Sequence, residues 1–254
     1  MAAESNALPI TNTPMNHEAD IFSAPCQQSR ADLALALRAA ARFGLSEGVC
    51  NHFSVALPDG SGRFLLNPRG LLWSEVQADD IVMVDNGGEA LAGRHPVEST
   101  AMHIHGGIHR LARQAVVLHT HMPHATALTL TQDRALDTAL SQNAMLFHGR
   151  VAIDPLYNGL ALDQREGERI ARAMGSADIA FLANHGVVVC GGRIDHAFDD
   201  LYYLERACMA QVLAQSTGRP LKPADAATAA RVAAQMQNER LQSELFFEAL
   251  RRTV

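Results

Sequence analysis

Three short stretches of this chain carry side chains that could hold a metal ion and move a proton. In Val116-Val117-Leu118-His119-Thr120-His121-Met122-Pro123-His124, an apolar run leads into two histidines one residue apart, and Pro123 marks the end of a strand. Alternate side chains of a strand share a face, which sets His119 and His121 pointing one way at roughly 6–7 Å, close enough to share one cation. Neutral imidazole is the commonest ligand for zinc-like ions, and a strand holds two such rings rigidly. The same pair also reads as two polar residues at a strand end. Upstream, Glu98 stands at the start of a helical stretch that runs from Pro96 through His103 and His105. Downstream, His185 sits beside Gly186 between the apolar runs Ile179–Leu182 and Val187–Val189. Three imidazoles and one carboxylate from separate elements could close a site that opens toward a substrate.

Glu98, His119-Thr120-His121 and Asn184-His185-Gly186, in this order and at this spacing, resemble the class II aldolase/adducin family. The resemblance runs from about Arg30 to about Thr217 and takes in Gly48-Val49-Cys50-Asn51-His52-Phe53-Ser54 and Leu65-Leu66-Asn67-Pro68-Arg69-Gly70. It implies a three-layer α-β-α domain and a divalent metal held by Glu98, His119, His121 and His185. Zinc is the first expectation for that metal, with manganese or iron as alternatives. It further implies a homotetramer with active sites between subunits, and it places Asn51 in the pocket that receives the substrate's anionic group.

The elements that must position these residues follow from period and punctuation. An amphipathic stretch over 29–43 reads as a helix that stops at Gly44. Two alternating runs around Pro58-Asp59-Gly60 read as a hairpin. Further strands are expected at 81–85, 116–120, 149–153 and through the two apolar runs around His185. Helices are expected from Pro96, over 131–143, 162–174 and 194–216, and from about 224 to 251. Proline in the first turn sets Glu98 near the positive end of the helix that begins at Pro96. On that helix Glu98, Met102, His105 and His109 share one face. His105 and His109, beside Gly106-Gly107, read first as packing or surface groups. His52 reads as a strand residue with a satisfied hydrogen bond, and His124 as a contact beside the site. Strands alternating with helices, some paired as hairpins, give an α/β class with a mixed, largely antiparallel central sheet. The expected organisation is a disordered or draped N-terminal arm over 1–28, the aldolase-like domain over 29–222 and a helical tail over 223–254.

The chain has 254 residues, 48% of them apolar, enough for a sizeable core. A net charge of −6 with no long basic run argues against nucleic acid as partner. No run of about 18 apolar residues and no charged-then-apolar leader is visible, so a soluble cytoplasmic protein with a small-molecule substrate and no membrane partner is expected. The four cysteines, Cys26, Cys50, Cys190 and Cys208, form no Cys-x-x-Cys pair and read as free thiols.

Departures from the family's pattern shape the functional expectation. In its sugar-phosphate members a Thr-Gly pair and two serines before the glutamate bind phosphate, and here those positions read Arg69-Gly70 and Pro96-Val97. Each lost hydroxyl donor removes a hydrogen bond worth about 0.5–1.5 kcal/mol. The Arg69 fork could pair with a carboxylate or a phosphate. No tyrosine follows Tyr203, so the C-terminal proton donor of those aldolases has no counterpart. The expectation is a metal-dependent lyase, aldolase-like or a decarboxylase. It would work beside a chelated carbonyl or hydroxyl of a non-phosphorylated or carboxylated substrate, with Glu98 as acid or base and Asn51, Arg69 and Gly70 as substrate contacts. Two histidines and a carboxylate with open positions also describe a non-haem iron oxygenase, and adducins use the fold as a binding protein without the enzyme site.

Overall fold

The structure, a computed structural model, describes residues 17–254. The N-terminal part of the expected arm, residues 1–16, lies outside the described residues. In chain order the elements are α1 (His17–Ile21), α2 (Ala24–Arg42), β1 (His52–Ala56), β2 (Phe64–Leu66), β3 (Val82–Val84), β4 (Ala90–Ala92), α3 (Ser99–Gly107), β5 (Val116–Thr120), α4 (Pro123–Thr129), α5 (Gln142–Met145), β6 (Val151–Asp154), α6 (Gln164–Met174), β7 (Ile179–Leu182), β8 (Gly186–Gly191), α7 (Ile194–Ser216), α8 (Ala226–Asn238) and α9 (Leu241–Thr253). The strands form one sheet in the order β4-β3-β2-β1-β5-β8-β7-β6. Every pairing is antiparallel except β6 with β7.

Alternation along each strand divides the sheet into two buried faces. Phe53 of β1, Val116 and Leu118 of β5, Phe181 of β7 and Val187 and Val189 of β8 join α2, α4, α7 and α9 in the main core. Val117, Ala180, Val188 and Cys190, one residue out of phase, pack against Ile104 of α3 and Ile170 and Met174 of α6. Helices cover both faces, which gives the three layers. His119 and its cross-strand partner His52 fall in the phase of Val117 and therefore lie on the α3–α6 side.

Several boundaries differ from the sequence reading. The first long helix begins at Ala24 rather than Ser29, with Pro25 in its opening turn where no amide is needed, and it already buries Cys26 and Arg30. No helix spans 131–143. The chain turns directly from β5 into α4, because Pro123 starts that helix and the Glu205 carboxylate accepts the His124 and Ala125 amides at 2.9 Å each. His124 also bonds Glu205 through Nδ1, so it helps anchor α4 on α7. The expected last helix is two, broken where Arg240 reaches back to Asp200 on α7 at 2.8 Å. Phe247 and Leu250 of α9 enter this chain's own main core. Cys190 and Cys208 are buried and free, as expected. Among the described residues no helix is long and apolar enough to cross a membrane.

Candidate metal centre

β5 delivers His119 to the α3–α6 side of the sheet and ends at Thr120, so His121 is the first residue beyond the strand. His185 was expected on a strand, and it lies instead in the turn between β7 and β8. Asn184 makes that reversal in the left-handed conformation, φ 55°, which asparagine tolerates better than most residues. Gly186 then lets the turn close on β5: a Cβ there would stand 2.7 Å from both the Thr120 carbonyl oxygen and His121 Cδ2. Glycine is required by this close approach, as the sequence suggested.

Ring centroids are 5.1 Å apart for His119 and His121, and 4.8 Å for His185 with each of them. The first pair sits closer than the strand spacing of about 6–7 Å because His121 has left the strand. One nitrogen from each ring lies within 4.8 Å of the others.

In two of the rings the other nitrogen is tied back. His119 Nδ1 donates to the Val187 carbonyl at 3.0 Å, and His121 Nδ1 donates to the Glu47 carboxylate at 2.5 Å. Both bonds fix the tautomer that leaves Nε2 bare, the arrangement by which a second layer of groups aims imidazoles at a metal. His121 Nε2 is buried with no partner among the described residues. A buried lone pair with nothing to accept is costly, and an ion shared with His119 and His185 would satisfy it. Burial holds the His119 imidazole well below its ordinary value, followed by the repulsion of His185, His52 and His121. Burial, then His121, pushes His185 down to about 4, against the weaker pull of Asp154 and Glu47. Neutral rings are the form that binds metals. Glu47→Ala should leave the fold intact, since this side chain is largely exposed, and weaken divalent-metal binding by about 10–100-fold. Competition with a chromogenic chelator measures it, and an unchanged affinity would remove Glu47 from the centre.

Glu98 is the N-cap residue of α3 and makes no capping bond with its side chain. It lines the same pocket of about 290 Å³ as the three histidines, yet its carboxylate is outside the group of nitrogens within ligand range of one another. Asn51 lines this pocket too. It has φ 73°, its Oδ1 accepts the His121 amide at 3.2 Å, and its Nδ2 is buried without a partner among the described residues. Asn67 steadies it from behind, with Nδ2 donating to the Asn51 carbonyl at 3.4 Å. Arg69 and Gly70 are exposed and do not line the pocket; the Arg69 amide donates to the Pro96 carbonyl at 2.8 Å, two residues before Glu98.

Tyr157, Cys50 and His52 also line the pocket, although His52 reads from sequence as a strand residue with a satisfied hydrogen bond and Cys50 as a free thiol. The Tyr157 ring lies 6.1 Å from that of His185. Glu47 was missed. Its only sequence signal is the neighbouring Gly48-Val49-Cys50-Asn51 run, which gives no hint that it reaches a histidine 74 residues away.

A three-layer domain with an eight-stranded mixed sheet and a three-histidine cluster where a strand end meets a turn defines an α/β fold that gathers three imidazoles beside one pocket. The chain belongs to the family described as Class II Aldolase and Adducin N-terminal domain, whose model matches residues 31–212. It is 32% identical over 214 residues to a Pseudomonas aeruginosa protein named only to the level of aldolase class 2, covering 84% of this chain and 81% of that one. It is 31% identical over 191 residues to the decarboxylase NovR of Streptomyces niveus, covering 74% and 70%. The crystal structure of an aldolase II superfamily protein from Pseudomonas syringae superposes with a TM-score of 0.83 at 32% identity, covering 92% of this chain and 94% of that one.

Proposed function

We propose that this protein is a divalent-metal-dependent lyase that breaks or rearranges a carbon–carbon bond on a non-phosphorylated or carboxylated substrate. What supports the reading most directly is the bare, buried His121 Nε2 facing two other imidazoles. His119, His121 and His185 would hold the ion, with zinc the first candidate and manganese or iron next. Once bound, such an ion acts as a Lewis acid toward the oxygens of a chelating hydroxy-ketone or hydroxy-acid. The protein's own groups do the rest. Asn51 Nδ2 donates to a substrate oxygen, Glu98 moves a proton at the reacting carbon or its hydroxyl, and the pocket walls limit water. Arg69 and Gly70 do not line the pocket, so pairing of the Arg69 guanidinium with a substrate carboxylate would take place outside it.

The test is metal analysis of protein purified without a histidine tag, followed by hydroxy-aldehyde, hydroxy-acid and aromatic-acid substrates. One equivalent of divalent metal and cleavage or carbon dioxide release from one class are expected. Oxygen uptake with iron would replace this reading by oxygenase chemistry. Failure to retain zinc, manganese or iron, together with no turnover, would end it.

A further inference from the structure

Next to the metal cluster, on the same face of the sheet, four side chains form one unbroken hydrogen-bonded row. His52 Nδ1 meets His105 Nε2 at 2.8 Å, and His105 Nδ1 meets Ser54 Oγ. Ser54 Oγ also meets His109 Nε2 at 2.7 Å, and His109 Nδ1 meets the Gln114 carbonyl at 2.7 Å. Alternation along β1 puts His52 and Ser54 on the α3 side, where they meet His105 in the last turn of α3 and His109 in the π-helical turn, Ile108–Ala112, that continues it.

A carbonyl oxygen only accepts, so the direction of each bond follows from the Gln114 end. His109 Nδ1 carries the hydrogen, and in a neutral ring its Nε2 is then an acceptor. Ser54 donates to that nitrogen and accepts from His105 Nδ1. His105 Nε2 is left as an acceptor, which requires the hydrogen of His52 on Nδ1 and none on its Nε2. Burial keeps the rings neutral. It pushes His109 down to about 4 against the bond to Gln114, and holds His105 and His52 well below their ordinary value, with neighbouring imidazoles adding to the effect.

His52 lines the pocket, its ring centroid is 4.9 Å from that of His119, and its Nε2 makes no hydrogen bond among the described residues. We propose that His109, Ser54 and His105 are positioning residues that lock His52 in its Nδ1–H form, so that the bare Nε2 accepts a hydrogen bond from a substrate hydroxyl beside the metal cluster. This rests on the pocket's being the substrate pocket, as proposed above, and it adds that the substrate carries a hydroxyl. A site built to pair with a hydroxyl rejects an analogue lacking it far more strongly than an apolar pocket rejects a missing methylene.

Nitrogen NMR of the full chain with isotope-labelled histidine reads the tautomers directly. In metal-free wild type, His52, His105 and His109 are each expected to show a protonated Nδ1 and an unprotonated Nε2. Zinc ion alone should then shift the Nε2 resonances of His119, His121 and His185 and leave that of His52 in its unprotonated, uncoordinated position. Ser54→Ala cuts the row and should move His52 into a mixture of both tautomers while zinc stoichiometry stays at the wild-type value. A wild-type His52 protonated on Nε2, a His52 Nε2 that binds zinc, or a His52 unchanged by Ser54→Ala would each overturn the proposal. Should Ser54→Ala fail to fold, the wild-type spectra decide alone. Failure of the metal reading looks different: zinc moves none of the three cluster resonances, while the tautomer pattern of the row stands.

Discussion

His185→Ala protein is expected to keep its fold and to lose the divalent metal proposed for the three-histidine cluster. His185 sits half-exposed in a turn, makes no side-chain hydrogen bond among the described residues, and contributes to neither core layer. Removing it leaves two imidazoles for an ion that needs three protein ligands and open positions. Loss of a group behind a ligand already weakens binding by about 10–100-fold, so loss of the ligand itself should reach at least the upper end. Lewis-acid stabilisation worth several kcal/mol disappears with it, an expected fall in kcat/KM of about a thousandfold or more. His119→Ala should match it in metal loss and exceed it in destabilisation, because His119 is fully buried and bonded to Val187. Elemental analysis with a thermal melt separates the two effects. Wild-type stoichiometry in both variants would sink the assignment.

Acid should unfold the metal-free protein well before its carboxylates protonate. His109 falls from about 6.5 in the unfolded chain to about 4 in the fold. The unfolded state therefore binds the extra proton between those values, and stability is complete above pH 6.5 and lost as pH drops toward 4. A shift of that size is worth about 3 kcal/mol when integrated over the window. His105, buried more deeply, acts with the same sign. Asp59 and Asp80, both lowered to about 2, contribute stability that is lost only below about pH 3.8, beneath this window, while Asp199, raised by burial, takes up its proton first in the fold and opposes the histidines. Urea titrations of metal-free protein at several pH values between 7.5 and 4.5 should show stability level at the upper end and falling below about pH 6.5. His109→Gln should reduce the slope by about one proton. Stability that rises on acidification would contradict the buried neutral row.

The parts of this arrangement that could be read from the chain are those whose partners are close in sequence. Alternation in Val116–Thr120 and the glycine after His185 revealed two strands and a close approach without any knowledge of the fold. Helical spacing placed His105 and His109 on one face, but not what that face meets. Their partners, His52 and Ser54, lie 53 and 51–55 residues away on a strand whose own pattern looks ordinary. The same holds for Glu47, whose role exists only because the ends of two separate segments meet. α4 is hidden for another reason: Pro123 after an apolar run reads as the end of a strand, while in the fold it begins a helix capped by the distant Glu205.

His121 reaches back 74 residues to Glu47 and 70 to Asn51, while His119 reaches forward 68 to Val187. Contacts across such intervals close late, after long loops of chain have been gathered. A nascent polypeptide that has not yet emerged past the β7–β8 turn therefore owns only two of the three rings. If the proposed cation binds there, its uptake would be a late event of maturation rather than a scaffold for it, timed by how quickly the sheet's central strands find one another.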